Sequence, residues 1–278
     1  MALTYLSLTN DVITRMNEVA LTAATFADAR GVQIQCQNAV NESIRYINQK
    51  EFGYPFNHVT NTSTLVPGTV RYTVPTSTKH IDYNTARIKK DTDLNTSGGN
   101  LTKLDYNEYI SRGFATQEDE VETTTLDGAL TDSATTVTVA STTGFTSTGV
   151  IFILGEQISY TGITSTTFTG CTRGANSTTA ASHVTATQVA LFTNGGVPQF
   201  IVRTPDNNYL LYPLPDKQYS LVFDYYTFPN DLAAHGDITS IPDRFSPIIV
   251  DGATAFVYQY RGELDQYNTN FVRFEQGI

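Results

Sequence analysis

The residue types that most often carry enzymatic or metal chemistry are few in this chain and are not grouped. Four histidines are present, His58, His80, His183 and His235. Their spacing matches neither a set of metal ligands nor a His-Glu-x-x-His pattern. Cys36 and Cys171 are far apart with no neighbouring His, which favours two small buried residues over a disulfide or a zinc site. Phosphate-binding glycine patterns and the Gly-x-Ser-x-Gly pattern are also missing. The sequence therefore predicts no enzyme, no cofactor and no metal.

Carboxylates offer the one remaining route to catalysis. Asp82, Asp224 and Asp251 would supply the acid and base of a hydrolase if two of them met in a cleft, but nothing in the sequence brings any two together. The dense acidic group lacks the alternation and the glycine of a calcium loop and is interpreted as a solvated joint; its members are Glu118, Asp119, Glu120 and Glu122. A wall-degrading hydrolase is the weakest of the alternatives.

The charge balance limits the partners of the protein. The formal net charge is −10, with 27 acidic residues against 17 Lys and Arg. A protein that holds nucleic acid through its phosphates needs clustered Lys and Arg, so tight DNA binding is excluded, whereas an acidic surface lets DNA slide past. No apolar run approaches the roughly 18 residues of a membrane span, and the N-terminus lacks the pattern of a signal peptide. We expect a protein made and used without secretion or membrane anchoring.

Periodicity predicts three helices. Residues 4–20, with Thr4 as the N-cap, and residues 27–50 each carry an apolar stripe at helical spacing. Residues 247–276 predict one continuous long helix with Ser246 as its N-cap, Pro247 in its first position and Gly277 after its end. The stripe of this last helix consists of Ile249, Gly252, Phe256, Tyr260, Leu264, Tyr267, Phe271 and Phe274. A helix of that length needs partners along all of it.

The middle of the chain predicts β structure in two kinds of segment that differ in composition. Half-buried strands with period two occur on both sides of residues 123–193, which are rich in Thr and nearly free of charge. We therefore expect an α+β fold: a helical layer (1–58 and 242–278), an antiparallel β domain (59–122 and 194–241), and a small β-barrel or sandwich (123–193) inserted into that domain. An insertion of this kind costs little if its two ends lie close together.

Several segments resemble the head-to-tail adaptor proteins of tailed bacteriophages, above all those of short-tailed phages, also called tail tubular protein A. The N-terminal segments are YLSLTNDV (5–12), Asn17-Glu18, AVNESIRYIN (39–48) and FGYPF (52–56). The later segments are FIVRTPD (200–206), YPLPDK (212–217), FDYY (223–226) and IPDRFSP (241–247). The Thr-rich segment departs from this pattern: GEQISY (155–160) and FTGCTRGA (168–175), continuing to His183, resemble a β-module of many phage virion proteins.

The resemblance implies a virion structural protein at the head–tail junction, made in the host cytoplasm. Adaptors of this kind form a ring of 12 subunits below the portal, with helical parts at the channel and β parts outside. Their distal face receives the nozzle or tail tube, and DNA passes without being tightly bound. The family carries no catalytic residues to transfer. The helical layer would then be the ring-forming part.

Two expectations concern particular residues. The first half of the long helix has partners in the two N-terminal helices, whereas we expect its second half to project and to dock on a neighbouring subunit or the portal. The residues of this predicted interface are Tyr267, Phe271, Phe274 and Ile278. The alternative function is a receptor- or glycan-binding tail protein, in which Tyr160, Phe168 and Arg173 of the inserted domain stack on a sugar. Those two rings would otherwise form the core of that small domain.

Overall fold

The fold was analysed on a computed structural model that describes residues 3–90, 98–119, 121–191 and 195–278. Its helices are α1 (Tyr5–Arg15), α2 (Val32–Lys50), α3 (Tyr106–Ser111), α4 (Thr116–Asp119), α5 (Ser246–Arg261) and α6 (Leu264–Gly277). With several sheets beside these helices, the predicted α+β class is confirmed. Of the predicted acidic joint, residue 120 and the side chains of Glu118 and Asp119 lie outside the described part.

Seventeen strands are described, most of them short. In chain order they are β1 (His58–Leu65), β2 (Arg71–Thr73), β3 (Thr78–Ile88), β4 (Gly99–Asn100), β5 (Thr102–Leu104), β6 (Glu122–Thr125), β7 (Thr136–Thr138), β8 (Gly149–Ile153), β9 (Glu156–Tyr160), β10 (Gly162–Ile163), β11 (Thr167–Thr169), β12 (Gln188–Leu191), β13 (Gly195–Gly196), β14 (Phe200–Arg203), β15 (Asn208–Tyr212), β16 (Leu214–Pro215) and β17 (Tyr219–Thr227).

Contacts divide the chain into two compact units. The helical unit comprises Met1–Val59, Ser77–His80 and Tyr225–Ile278, and the β unit comprises Thr60–Thr76 and Ile81–Asp224. The inserted Thr-rich segment belongs to the β unit together with the strands on both sides of it. The predicted division into three domains stays a prediction.

In the helical unit, α1, α2, α5 and α6 surround one apolar core. The predicted N-cap of α1 is correct, because the Oγ1 of Thr4 accepts a hydrogen bond from the N–H of Ser7 (3.2 Å). The helix ends at Arg15 and not at residue 20, since Asn17 takes a left-handed φ of 56°. Residues 26–28 form a separate 3₁₀ turn, so that α2 starts at Val32 and not at residue 27.

The predicted long C-terminal helix is wrong: it is two helices, α5 and α6. Gly262 has a φ of 79°, which the left-handed C′ position requires, and the N–H of Glu263 donates to the carbonyl of Tyr258 (3.0 Å). Ser246 is the first helical residue and not the N-cap. Because the chain turns at Gly262, α6 packs back along α5. A Cβ at Gly252 would lie 2.6 Å from the ring of Phe274, so the contact between the two helices needs a glycine there.

Asparagine side chains fasten the loops of the helical unit to its helices. The buried side chain of Asn41 on α2 donates to the carbonyl of Leu232 (2.9 Å) and accepts from the N–H of the same residue (2.9 Å). Asn10 on α1 binds both backbone groups of Leu21 in the same manner (2.9 and 2.8 Å). An amide side chain has one donor group and one acceptor, so it satisfies a peptide group as a neighbouring strand would.

Two four-stranded sheets are described outside the insertion. Their strand orders are β1-β17-β3-β4 and β2-β15-β14-β5. Antiparallel pairing prevails, but β5 pairs with β14 in parallel, and β13 pairs with β16 in parallel. The sequence did not indicate these parallel pairs, because the residue pattern of a short strand does not show whether its neighbour runs parallel or antiparallel.

The Thr-rich insertion consists of two small sheets, β6-β12-β8-β9 and β10-β11-β7, around an apolar core. Neither sheet closes into a barrel among the described strands. The two ends of the insertion lie side by side, because Glu122 of β6 is opposite Leu191 of β12. Phe152 and Ala190 also share a small buried cluster with Leu214, outside the insertion. The insertion is therefore packed against the strands that carry it.

Replacement of Asn41 by Ala should lower the free energy of unfolding of the helical unit by roughly 2–4 kcal/mol, because the N–H and the carbonyl of Leu232 lose their buried partner. Urea unfolding followed by circular dichroism measures the change. The matched control is Asn38→Ala on the exposed face of the same helix, which should stay within about 0.5 kcal/mol of the unaltered chain. Equal unfolding midpoints for the two variants would contradict the anchoring role of Asn41.

Candidate interaction site

The residues that suggested chemistry have separate structural partners. Asp251 forms an ion pair with Arg15 (2.5 Å), and Asp224 accepts a hydrogen bond from the hydroxyl of Thr60 (2.7 Å). Asp82 accepts from a backbone N–H two residues along its own strand. Over the described ranges, no three His, Cys, Asp or Glu side chains are placed to hold a metal ion.

Of the four histidines, His183 lies in a buried polar cluster inside the insertion. Its Nε2 is 2.8 Å from the carboxylate of Glu156, which is 1% exposed. Arg173 grips the same carboxylate with two parallel hydrogen bonds (2.7 and 2.6 Å). The backbone N–H groups of Gly174 (3.0 Å) and Ala181 (3.2 Å) also donate to it. We refer to Glu156, Arg173 and His183 as the Glu156 cluster.

The donors of this cluster control the ionisation of Glu156. Burial alone raises the pKa of a carboxyl group, but the hydrogen bonds from Arg173 and His183, and then those from the backbone, outweigh it and hold the pKa of Glu156 below its ordinary value. Arg173 also donates to the carbonyls of Thr131 and Ala181. The cluster therefore joins β9 to the long segment between β11 and β12, and its role is structural.

The three residues of the insertion predicted to contact a ligand have buried side chains, and their ligand role stays a prediction. Tyr160 (2% exposed) and Phe168 (0%) form the core, with ring centroids 4.8 Å apart. The side chain of Arg173 is only 7% exposed and is paired with Glu156. A strand that is buried on one face carries apolar side chains on that face, and the structure places both rings in the core of the insertion.

A largely apolar pocket of about 430 Å³ lies on the helical unit. It is lined by residues 54–56, which lead into the 3₁₀ turn Pro55–Asn57, by side chains of the segment 241–248 and by the end of α6. The rings of Tyr54 and Phe56 stack at 4.9 Å on one side. We call this the aromatic groove; its walls include Tyr54, Phe56, Pro242, Phe245, Ile248 and Ile278.

The four residues of the predicted interface differ in exposure. Phe274 is fully buried and packs against Tyr46 (ring centroids 5.2 Å apart), so the expectation that this end projects without a partner in the chain is wrong. Tyr267 and Phe271 are half-buried, and their rings stack at 5.2 Å. Ile278 is 38% exposed and lies in the wall of the aromatic groove. The interface role of these residues stays a prediction.

Comparison with known families identifies the class of protein that carries this groove. A family model described as SU10 adaptor protein matches residues 112–278, more than half of the chain. The chain belongs to this adaptor family. The match includes the aromatic groove's segment 241–248 and the whole of α5 and α6, but not α1 and α2. No curated protein matches the adaptor.

Membership of the family makes the chain a structural adaptor protein of a bacteriophage, which belongs to the virion and contacts other head and tail proteins. The features of the structure that bear on this role are therefore the surfaces that can contact other proteins. In the described part of the adaptor, no helix has the length and apolar character that crossing a membrane demands. The sequence analysis did not predict the aromatic groove, although Tyr54 and Phe56 of its wall belong to the FGYPF segment.

In the adaptor, Glu156→Gln should lower the stability of the insertion by about 3–5 kcal/mol, because the buried charge of Arg173 loses its partner. Thermal unfolding measures the loss. Asp127→Asn is the matched control, since Asp127 is an exposed acid of the same insertion, and it should change stability by less than about 0.5 kcal/mol. If the two variants melted alike, the Glu156 cluster would not stabilise the insertion.

Acid should weaken the adaptor through the same carboxylate. Since the pKa of Glu156 is lower in the folded chain, its contribution is complete above the ordinary pKa of a carboxyl group and disappears as the pH falls through the folded pKa. Melting temperatures between pH 7 and pH 3 should therefore fall more steeply for the unaltered adaptor than for Glu156→Gln. Parallel pH profiles would contradict this assignment.

Proposed function

We propose that this adaptor forms a ring at the head–tail junction, joins the portal to the tail and leaves a channel through which DNA passes. The observation that carries the proposal is the aromatic groove, a concave apolar surface in a member of a phage adaptor family. Exposed apolar concavities of this kind are typical of surfaces that other proteins cover. The resemblance to tail tubular protein A adds the finer expectations of 12 subunits and a tail nozzle or tube on the distal face.

The charge of the chain supports the channel. With a net charge of −10, the surface of a ring would repel the phosphates of DNA and hold them only weakly. A ring of many copies multiplies that charge. Passage without tight binding is the behaviour that a channel for DNA requires.

A receptor- or glycan-binding role is the competing proposal, and the observations do not favour it. Its candidate residues Tyr160, Phe168 and Arg173 are buried in the insertion. A sugar needs exposed rings to stack on, and the insertion uses these two rings for its own core. The interface role of Tyr267, Phe271 and Ile278 is retained as part of the adaptor proposal, without Phe274.

Electron microscopy of the purified adaptor mixed with its portal protein tests the proposed function. We expect rings seated on the portal, with 12 adaptor copies counted around the axis. A protein that stays monomeric both alone and with the portal, and that is absent from purified virions, would overturn the proposal.

A charge in the aromatic groove should block assembly without unfolding the chain. Ile278→Asp is expected to lower ring or portal binding at least tenfold, because it places a carboxylate in an apolar contact, and to leave the melting temperature nearly unchanged, because the side chain is already 38% exposed. Val272→Asp is the matched control on α6: its side chain is 53% exposed and lies outside the groove. Equal binding by the two variants would show that the groove is not the contact.

A further inference from the structure

The break between α5 and α6 leaves an apolar surface without cover. The stripe of the two helices continues at helical spacing across the break, from Phe256 through Tyr260 and Leu264 to Tyr267. Only Gly262 and Glu263 lie between the two helices. On either side of this turn, Tyr260 is 68% exposed and Leu264 is 64% exposed. Large apolar side chains in register with a buried stripe indicate a surface that is covered in another arrangement of the chain.

The surface that α6 contacts on its own chain, which we call the α6 seat, includes Tyr46, Lys50 and Gly252. Its shape and its charge are both specific. Phe274 fills a space left by Gly252, where an added Cβ would lie 2.6 Å from its ring, and it also touches Tyr46. Beside it, Glu275 forms an ion pair with Lys50 (2.7 Å). Every copy of the chain carries this seat, so the α6 of a second copy fits it as well as its own.

We propose that neighbouring copies exchange α6 when the ring forms: α5 and α6 straighten into one helix, and the α6 of each copy occupies the seat of the next. The proposal rests on the ring of the proposed function. The exchange keeps all contacts between α6 and the seat. The free-energy difference between the folded-back and the exchanged arrangement therefore depends on the turn and on its surroundings. In the straight helix, Gly262 exchanges its left-handed backbone conformation for a helical one. Tyr260 and Leu264 then lie one helical turn apart, at the junction between two copies.

Ring closure favours this arrangement. An exchange that runs head to tail around a closed ring leaves no seat empty and no α6 without a seat. In a single copy, by contrast, a straight helix would expose Phe274, Phe256 and Tyr46 to water. The folded-back α6 is therefore the form expected of a free subunit, and the exchanged α6 the form expected of the assembled one.

A disulfide between the first turn of α5 and the end of α6 tests the exchange. A Cβ at Gly277 would lie 2.9 Å and 3.2 Å from Cγ1 and Cδ1 of Ile248, so side chains at the two positions are in direct contact, which a disulfide requires. The variant Ile248→Cys/Gly277→Cys is assembled on the portal, oxidised and run on a denaturing gel without reductant. The native Cys36 and Cys171 are buried and stay in place.

If α6 is exchanged, the double variant gives a ladder of covalent oligomers that reduction collapses to the monomer. Rings that contain only internally bridged monomers would overturn the exchange and leave the proposed ring intact. A variant that forms no ring on the portal, when the unaltered chain also forms none, would remove both proposals. Each single-cysteine variant is the control and should give no ladder.

The turn itself provides a second measurement. Gly262→Ala disfavours the left-handed turn and favours a continuous helix, so it should raise the exchanged fraction of the free protein roughly tenfold or more, seen as dimers and larger species in light scattering. Gly236→Ala is the matched control, because a Cβ at that loop position meets nothing within 4 Å and its φ is not in the left-handed region. Oligomer levels that are unchanged or reduced in Gly262→Ala would count against the exchange.

Discussion

The hydrogen bonds between Asn41 and the backbone of Leu232 are the contact on which the helical unit most depends. The chain leaves this unit after residue 59, crosses it again at Ser77–His80 and returns at residue 225. The loop before α5 must therefore be held against α2 for the returning helix to pack on it. Asn41 holds both polar groups of that loop's Leu232 in the interior, and Tyr5 of α1 lies within hydrogen-bond distance of the same amide. One side chain thereby fixes the relation of two helices to the returning chain.

The insertion uses a different solution to the same problem. Its strands have two to five residues, and the segment 170–187 forms no strand among the described residues. The carboxylate of Glu156 holds this segment, because it receives donors from Arg173, from His183 and from two backbone N–H groups. A saturated ion is stable when buried, whereas a partly satisfied one is costly. The helical unit and the insertion therefore each have a buried polar side chain whose hydrogen bonds join segments that are distant in the sequence.

Which features could be predicted depended on whether their cause is local. Thr4 caps α1 as expected, because a cap involves residues that are neighbours in the sequence. Apolar spacing also indicated the helical regions of α1, α2, α5 and α6, although not all of their ends. It could not show the break at Gly262, since a glycine within a periodic segment is compatible with both a continuous helix and a turn. Apolar spacing also gives no reason to bury polar residues such as Asn41 and Asn48, yet both are buried. Their partners come from distant segments, such as residue 232, that spacing cannot place.

The candidate site was harder to predict than the fold for a physical reason. A catalytic site can be recognised in a sequence by rare residue types at fixed spacing, whereas a contact surface is built from the same Phe, Tyr and Ile side chains as a core. Phe168 and Phe56 are the same residue type in segments that both carry several apolar or aromatic side chains, but the first is fully buried in the core of the insertion and the second lines an open groove. Only the packing of the whole chain decides which ring is covered. In an adaptor, other copies or other proteins can contribute binding free energy by covering the rings and apolar side chains that the chain leaves exposed. α6 has side chains of both kinds: Phe274 completes the core, while Leu264, the first residue after the break, is exposed. A helix with that division is suited to serve as core in one chain and as contact in the next.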